Sequence, residues 1–519
     1  MLQTTNPTEL PIARLKIKTL EELAADADKS RRAGLRVVLA HGTFDLLHLG
    51  HVRYFEEARQ QGDILFVTIT ADEFVNKGPS RPYFSHDLRA EMVGALGYVD
   101  GVAINHQPTA VNLIKAIRPD VYVKGPDYKD THADVTGNII DEQRAVENYG
   151  GRIHFTDNIT FSSSTLINRY LETPNSELRE YLDCARERNF QRRVPNLIDR
   201  IANMKVLLVG ETIVDEYVYV SPLGKPPKEN VLATLHRGKE VFAGGVIAAA
   251  NHVAGFCAGV EVFTALGESE SFEGLVRDSL LPNVKLWSVT RPNAPTVRKT
   301  RYVESDYLRK LFEVYSMDDA PLSGELEERL VGEIERRAKD FDVVIVTDFG
   351  HGLLSPDVRS ALLSRAKFLA LNVQSNAGNF GFNLVTKYPR ADYICLDAPE
   401  ARLAIAAKDA DLGTVATAVL RERVDVDRII ITHGRHGCVT FDAEKGISHV
   451  PAFTGRVVDT MGAGDAFLAV TAPLAAISDE MDVVGFIGNA VGAIKVGILG
   501  HRKAVEKVPM LKYIQTLLK

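Results

Sequence analysis

The sequence predicts an α/β protein with two successive domains, each built on a parallel sheet. Three observations lead to this. Apolar strand-like runs alternate with helical stretches from about Leu35 to Leu171 ("LRVVLAHGTFD", "DILFVTITADE", "VDGVAINH", "PDVYVKGPDY"). A second such series starts at Met204 ("KVLLVGETIVDEY", "VVIVTDFGHG", "FLALNV", "YICLDAPEA", "RIIITHGRHG"). Between them, residues 172–203 are polar, charge-rich and helical in pattern, punctuated by Pro174 and Pro195. Strands alternating with helices imply βαβ units, and a polar stretch with prolines marks a join. The expected division is an extension over 1–34, a domain over 35–171, a helical linker over 172–203 and a domain over 204–519.

At 519 residues the chain is too long for a single core. With 45% hydrophobic and 25% charged residues it is a globular composition and not a disordered one. No apolar run reaches membrane-span length, and "MLQTTNPTEL" lacks the basic start and apolar stretch of a signal peptide. The net charge of −7 disfavours a broad nucleic-acid surface, while leaving room for anionic small substrates at local positive sites. Cys184, Cys257, Cys395 and Cys438 are scattered, with no CxxC or zinc spacing. Reduced thiols in a cytoplasmic protein are expected.

The first motif is "GTFDLLHLGH", Gly42 to His51. It follows a strand and precedes the helical pattern "VRYFEEARQQG". His48 and His51 therefore stand at a helix N-terminus, three residues apart and on one face. Backbone N–H groups and the helix dipole favour an anion there. Imidazole donors at that place can stabilise charge that builds during transfer at a nucleotide α-phosphate. Two surface histidines at a helix cap remain open as a plain reading. So does a zinc pair, although helix-borne zinc histidines are commonly four apart.

The second motif is "DTMGAGDAF", Asp459 to Phe467. The N–H groups of Gly462, Ala463 and Gly464 can form an anion hole before a helix, and Asp465 can take a proton from a substrate hydroxyl. A glycine turn with an aspartate cap is the plain alternative. No Walker motif GxxxxGK[ST] occurs.

The wider pattern in the first half resembles the cytidylyltransferase-like nucleotidyltransferases. "GTFDLLHLGH", "NKGPSRPYFSHDLRAEMVGALGYVDGV", "VYVKGPDYK" and "FSSSTLI" follow in that family's order. "VYVKGPDYK" is similar to its heptose-1-phosphate adenylyltransferase branch. The resemblance implies that His48 and His51 stabilise the transferred group and that Lys124, with Lys77, meets phosphate. It places Ser163, Ser164 and Thr165 near the triphosphate, and Gly42, Thr43 and Phe44 along the nucleotide. Asp45 is either part of that signature's chemistry or a turn residue.

The second half resembles the ribokinase-like (PfkB) sugar kinases, which implies their α/β fold with a small β lid. "VLLVGETIVDEY" corresponds to the first strand, with Asp215 at the sugar-binding position; "AGGVIAAANHVAGF" corresponds to the glycine-pair helix, with Gly244 and Gly245. "TVRKTRYV" puts Lys299 and Arg301 toward substrate phosphate, or else on a solvated charged strand. "DAPEARLA" implies that Asp397 and Glu400 help to place Mg²⁺. "THGRHG" implies Thr432, Gly434 and Gly437 near ATP, and "GNAVGAIKVGILG" puts Asn489 near adenine.

The two resemblances together point to the bifunctional heptose-7-phosphate kinase/heptose-1-phosphate adenylyltransferase family, with the domain order reversed. Phosphorylation of a sugar phosphate followed by nucleotidyl transfer is implied, with ATP, or alternatively CTP, as nucleotidyl donor. Nucleoside triphosphate and sugar phosphate are then the partners, without nucleic acid or membrane, in an expected homo-oligomer. Three positions depart from the pattern: Ala248 where the helix usually has Asn, Glu211 for Asp, and Asn372 for Asp. They raise two alternatives: a kinase-like domain kept for binding or assembly, or a non-heptose substrate. Asn251, one turn after Ala248, is a candidate replacement for the missing amide.

Overall fold

The computed structural model describes residues 12–79, 81–129, 138–157, 176–454 and 457–519. Ser163, Ser164 and Thr165 lie outside them. The chain divides into two compact units, Met1–Asn175 with Leu511–Lys519, and Ser176–Met510.

Among its described residues the first unit holds five strands: β1 (Val37–Gly42), β2 (Ile64–Thr70), β3 (Gly101–Asn105), β4 (Val121–Lys124) and β5 (Arg152–Phe155). All pair in parallel, in the order β3-β2-β1-β4-β5. Residues 37–40 are fully buried, as expected for a central strand covered on both faces. The order reverses between β1 and β4, so a crevice opens beyond their C-terminal ends. His41–Asp45 and Lys124 are placed there by chain direction alone. Helix Leu20–Arg32 starts at a Thr19–Glu22 capping box and buries Leu23 and Ala27 in the core. The bonds Lys18 N to Val102 O and Val102 N to Lys16 O, both 2.8 Å, add residues 16–18 to the β3 edge.

Among its described residues the second unit has thirteen strands: β6 (Lys205–Gly210), β7 (Thr212–Gly224), β8 (Ala233–Gly245), β9 (Gly259–Ser269), β10 (Val284–Pro295), β11 (Val297–Glu304), β12 (Lys310–Ser316), β13 (Val343–Asp348), β14 (Leu369–Val373), β15 (Tyr393–Asp397), β16 (Arg428–Thr432), β17 (Cys438–Asp442) and β18 (Gly446–Val450). Nine form one sheet, β10-β9-β6-β13-β14-β15-β16-β17-β18, antiparallel only in its last two pairings. The other four form a separate sheet, β12-β11-β7-β8, whose long strands β7 and β8 make the small β lid.

Helices Ala463–Ile477 and Met481–Lys495 are buried along most of their length, rich in Ala and Gly that let backbones approach. Helices Ser176–Glu187 and Phe190–Ile201 pack against this pair, with Phe190 and Phe486 rings edge to face at 5.3 Å. Pro195 sits inside the second of them. Cys257, Cys395 and Cys438 are buried and Cys184 is exposed, all as free thiols. No described helix is long and apolar enough to cross a membrane.

Candidate active sites

In the first unit, His48 caps helix Leu49–Arg59: its Nδ1 accepts the Gly50 N–H at 3.0 Å. A ring nitrogen that accepts carries no proton, so neutral His48 has its proton on Nε2. Nε2 is buried with no protein partner, as is Nδ1 of His51. The two rings stack at 4.1 Å. Burial lowers the His48 pKa, and it pushes His51 down to about 3, with His48 and Lys77 adding repulsion. Both rings are therefore neutral near pH 7. Two neutral imidazoles at a helix start can stabilise an oxyanion by hydrogen bonding and need not themselves be charged.

Around them stand further cations. Lys77 is lowered to about 8 by burial, then by Lys519. Lys124 ends β4 and pairs with buried Glu142 at 2.7 Å, its ammonium over the Tyr122 and Tyr128 rings. Lys519 reaches Asp127, in the loop after β4, at 3.3 Å.

The signature loop is held by two buried groups. Asp45 accepts the N–H groups of Tyr83 (2.8 Å) and Phe84 (3.2 Å) and lies 3.8 Å from Arg81. These bonds, both on Oδ1, give Asp45 a part in holding the turn, while its Oδ2 is buried without a hydrogen-bond partner. Arg89, wholly buried, donates to the carbonyls of Thr43, Thr70 (2.8 Å) and Phe84 (2.9 Å) and to Asp72. Phe44 sits at φ 48°, and a Cβ on Gly42 would come 3.0 Å from its ring. So Gly42, Thr43 and Phe44 form one tightly fixed turn beside the histidines.

In the second unit, Asp215 on β7 is buried, with Oδ1 on Arg301 of β11 and Oδ2 on His501 Nε2 at 3.0 Å. Burial opposes its charge, but His501 and Arg301 outweigh it and hold the carboxyl well below the usual carboxylate range. Arg301 also binds Glu313 at 2.9 Å. Lys299, on the same strand, is buried over the Tyr315 ring, and burial lowers its pKa. Both cations are enclosed, which removes the solvated-strand alternative. Gly244 leaves room for Asp215, since a Cβ there would lie 2.1 Å from Oδ2. Gly245, at φ 58°, ends β8 and starts helix Val246–Ala254.

Gly462, at φ 69°, caps helix Ala463–Ile477; the Ala463 N–H donates to Thr460 O at 3.2 Å and the Ala466 N–H to Gly462 O at 3.0 Å, while those of Gly464 and Asp465 have no intrahelical acceptor. Asp465 lies in that turn, buried, and accepts Gln374 Nε2 at 2.8 Å. Burial raises its pKa, Asp215 adds to it, and the Gln374 bond opposes it. The turn is braced from both sides. Asp459 accepts Tyr217 Oη (2.8 Å), Lys310 Nζ (2.9 Å) and the Gly500 N–H (2.9 Å). Lys495, fully buried, donates to the carbonyls of Met461 (2.7 Å) and Gly500 (2.8 Å).

Asp397 and Glu400 form a capping box: Asp397 accepts Glu400 N–H at 2.8 Å, and Glu400 accepts Asp397 N–H at 3.2 Å. Burial raises both carboxyls, and Asp397 repels Glu400. Thr432 Oγ1 donates to Leu396 O at 3.3 Å, which ties the loop after β16 to β15. Gly437, at φ 84°, packs so closely on β18 that a Cβ would lie 1.9 Å from Val450 O. Gly434, at φ 52°, has open space around it. Asn489 donates to Val450 O and Pro451 O, each at 3.0 Å.

The departures also have places. Glu211 accepts the N–H groups of Phe349 and His351, each at 3.0 Å, so it shapes the loop after β13. Asn372 donates to Cys395 O at 2.8 Å, leaving Oδ1 buried and unpaired. Asn251 does not stand in for an amide at position 248. Its Nδ2 donates to Ser279 O (2.7 Å) and its Oδ1 accepts Leu281 N–H (3.0 Å), so both ends are engaged away from Asp215. His501 and Gln374 carry no signal in the pattern, because their partners Asp215 and Asp465 lie 286 and 91 residues away. Arg89 and Lys495 lie inside "NKGPSRPYFSHDLRAEMVGALGYVDGV" and "GNAVGAIKVGILG", where neither was singled out for a role.

Residues 39–169 match the family described as cytidylyltransferase-like, and residues 203–507 match the pfkB family carbohydrate kinases. The bifunctional protein HldE of Syntrophotalea carbinolica is 40% identical over 160 residues, 30% of this chain and 31% of that protein. HldE of Aliarcobacter butzleri is 44% identical over 139 residues, 26% and 29% of the two chains. These matches fall in the cytidylyltransferase-like region. The chain thus spans about a third of the length of the curated relatives it matches. Escherichia coli phosphofructokinase-2, in a crystal structure with potassium, overlays at TM-score 0.50 with 14% identity, over 61% of this chain and all of that one. That likeness speaks for the fold of the second unit. The chain belongs to the pfkB family of carbohydrate kinases, and it carries a cytidylyltransferase-like domain N-terminal to the kinase domain.

Proposed function

We propose that the chain is bifunctional and makes a nucleotide-activated sugar of the ADP-heptose type. The carrying observation is that each unit separately assembles a site suited to one half of that task. In the second unit, Asp215 and Arg301 orient a sugar phosphate, with Lys299 nearby for its anionic group. Asp465 takes the proton of the anomeric hydroxyl as that oxygen attacks the γ-phosphorus of ATP, and ADP leaves. A raised pKa suits Asp465 to that transfer. Of the N–H groups at 462–464, those of Gly462 and Gly464 receive the charge on the transferred group, and that of Ala463 is held by Thr460 O at 3.2 Å.

In the first unit, an oxygen of the sugar 1-phosphate attacks the α-phosphorus of a nucleoside triphosphate, and pyrophosphate leaves. His48 and His51 donate hydrogen bonds to the charge that builds there. Lys77 and Lys124 meet phosphate, and the turn at Gly42–Phe44 lines the nucleotide. ATP is the proposed donor.

A cation would arrive with the nucleotide, as magnesium commonly does. The repulsion that Asp397 and Asp465 exert on Glu400 fits a site completed by such an ion. When bound, magnesium would neutralise the triphosphate; Asp397 and Glu400 would hold it, with its waters.

A second reading, in which the kinase unit serves binding or assembly, is favoured by one observation. The start of helix Val246–Ala254 offers only apolar side chains, and Asn251 is turned away. Incubating the full chain with heptose 7-phosphate, ATP, CTP and Mg²⁺, then weighing the products, separates the readings. ADP with a heptose bisphosphate in that mixture, together with ADP-heptose and pyrophosphate when heptose 1-phosphate is supplied in a parallel one, supports the first. A nucleotide-sugar from the supplied 1-phosphate, with no ADP released from heptose 7-phosphate, supports the second.

A further inference from the structure

His501 lies in the turn after helix Met481–Lys495 and was not part of either signature. Its side chain is only 6% exposed. Two glycines of the kinase signatures make room for it. A Cβ on Gly244 would lie 3.1 Å from His501 Nε2, and a Cβ on Gly462 would lie 2.6 Å from Cε1 and 3.2 Å from Nδ1. The imidazole is thus wedged between the aspartate on the lid sheet and the turn that opens the Asp465 helix.

The proton arrangement follows from its partner. Asp215 is an ionised carboxylate and can only accept, so Nε2 of His501 carries the hydrogen of their 3.0 Å bond. In the neutral ring Nδ1 is then a bare acceptor. It is buried and has no protein partner. An unsatisfied buried acceptor costs stability unless something donates to it. Arg301 and Lys299 are donors, but Arg301 is committed to Asp215 and Glu313. The facing start of helix Val246–Ala254 is apolar: Val246, Ile247, Ala248, Ala249 and Ala250. Polar recognition on this side of the site has few other sources.

We propose that His501 is a substrate-binding residue of the kinase site, whose Nδ1 accepts the hydrogen bond of one sugar hydroxyl. Asp215 fixes the ring's tautomer, and His501 converts that carboxylate's charge into a second, neutral acceptor for the sugar. This rests on the kinase reading above and adds a specificity residue to it.

Two variants separate this role from a merely structural one. His501→Gln can keep a donor for Asp215 and removes the Nδ1 acceptor. His501→Asn keeps an acceptor near Nδ1 and gives up the Asp215 contact. ADP release by the full-length protein is measured for the best sugar phosphate and its monodeoxy analogues. The parent should lose about tenfold in kcat/KM for one particular deoxy analogue. His501→Gln should show no such penalty for that analogue, and His501→Asn should retain part of it. KM for ATP should stay near the parent value in both. If His501→Gln discriminates like the parent and His501→Asn is the impaired one, the histidine only braces Asp215 and the proposal is overturned. Absence of ADP release by the parent with every sugar phosphate would overturn the kinase reading along with it.

Discussion

The ring of His48 stacks on that of His51 at 4.1 Å, and the Gly50 N–H donates into Nδ1 of His48 at 3.0 Å. One imidazole therefore does two jobs: it caps the helix through Nδ1 and leaves Nε2–H for a ligand. Substitution can part these jobs. His48→Asn, an accepted helix cap, should keep the helix and the stability. It should still lower nucleotidyl transfer about 100-fold or more by losing the distal donor. His51→Ala should do the same to activity. Kinase turnover, in the other unit, should not move. Pyrophosphate and ADP release assayed side by side check this; parent-like pyrophosphate release in both variants would sink the assignment.

How much of this was readable beforehand differs between elements. "VVLAHGTFDLLHLGH" carries its own strand, turn and cap in consecutive residues, so the placement of both histidines follows from local pattern. The Gly462 turn and Asp465 are equally local. Asp45 was ambiguous because its partners, Tyr83 and Phe84, lie 38 and 39 residues on. His501 and Asp215 are separated by 286 residues, and only the fold brings them together. Lys495 ends its helix wholly buried, and the carbonyls of Met461 and Gly500 make that burial tolerable. The choice between compensation and drift at Ala248 also needed the fold, because Asn251 is three residues away in sequence but faces Ser279.

Acid should weaken the first unit. Burial, first of all, pushes His41 and His51 down to about 3, so both stay neutral in the folded state. An unfolded histidine takes a proton near 6.5, roughly its ordinary value. Below that pH the unfolded chain binds more protons, so stability falls as pH falls, by on the order of 1 kcal/mol per pH unit for each such histidine. The loss runs from about pH 6.5 down toward the folded-state value. Retention of nucleotidyl transfer after heating at pH 7 and pH 5 reports this unit. The single tryptophan, Trp287, lies in the other unit, and its fluorescence follows that one. His41→Gln should flatten the pH dependence; an unchanged slope would show that His41 does not cause it.

Asn251 should be structural. Its amide bridges Ser279 O and Leu281 N–H, which fastens helix Val246–Ala254 to the segment before β10. Asn251→Ala removes two hydrogen bonds and should lower unfolding stability by about 1–3 kcal/mol. KM for the sugar phosphate should stay within about twofold, a shift below 0.5 kcal/mol by the usual conversion. Ala248→Asn is the complementary change, because that position is buried beside the Asp465 helix. A rise in sugar-phosphate turnover with Ala248→Asn but not with Asn251→Ala would locate the sugar-facing position at 248. A large KM change in Asn251→Ala would overturn the assignment.

Asp465→Asn tests the kinase chemistry most directly. The carboxylate is buried in the first turn of its helix, with Gln374 Nε2 at 2.8 Å on Oδ1. Asparagine has nearly the same shape and can still accept that bond, so the fold should hold. It cannot take a proton from an attacking hydroxyl. Turnover should therefore fall about 100- to 10,000-fold, the usual worth of a positioned base. ATP affinity should be preserved or rise, because the change removes a carboxylate that repels Glu400 and faces the triphosphate in the proposed arrangement. The parent should lose kinase rate as pH falls through the raised pKa of Asp465, since only the deprotonated form accepts the proton; the residual rate of Asp465→Asn should lack that limb. Nucleotidyl transfer by the same preparation controls for folding of the other unit. ADP release at the parent rate, or an acid limb that survives the substitution, would remove Asp465 from the role of base.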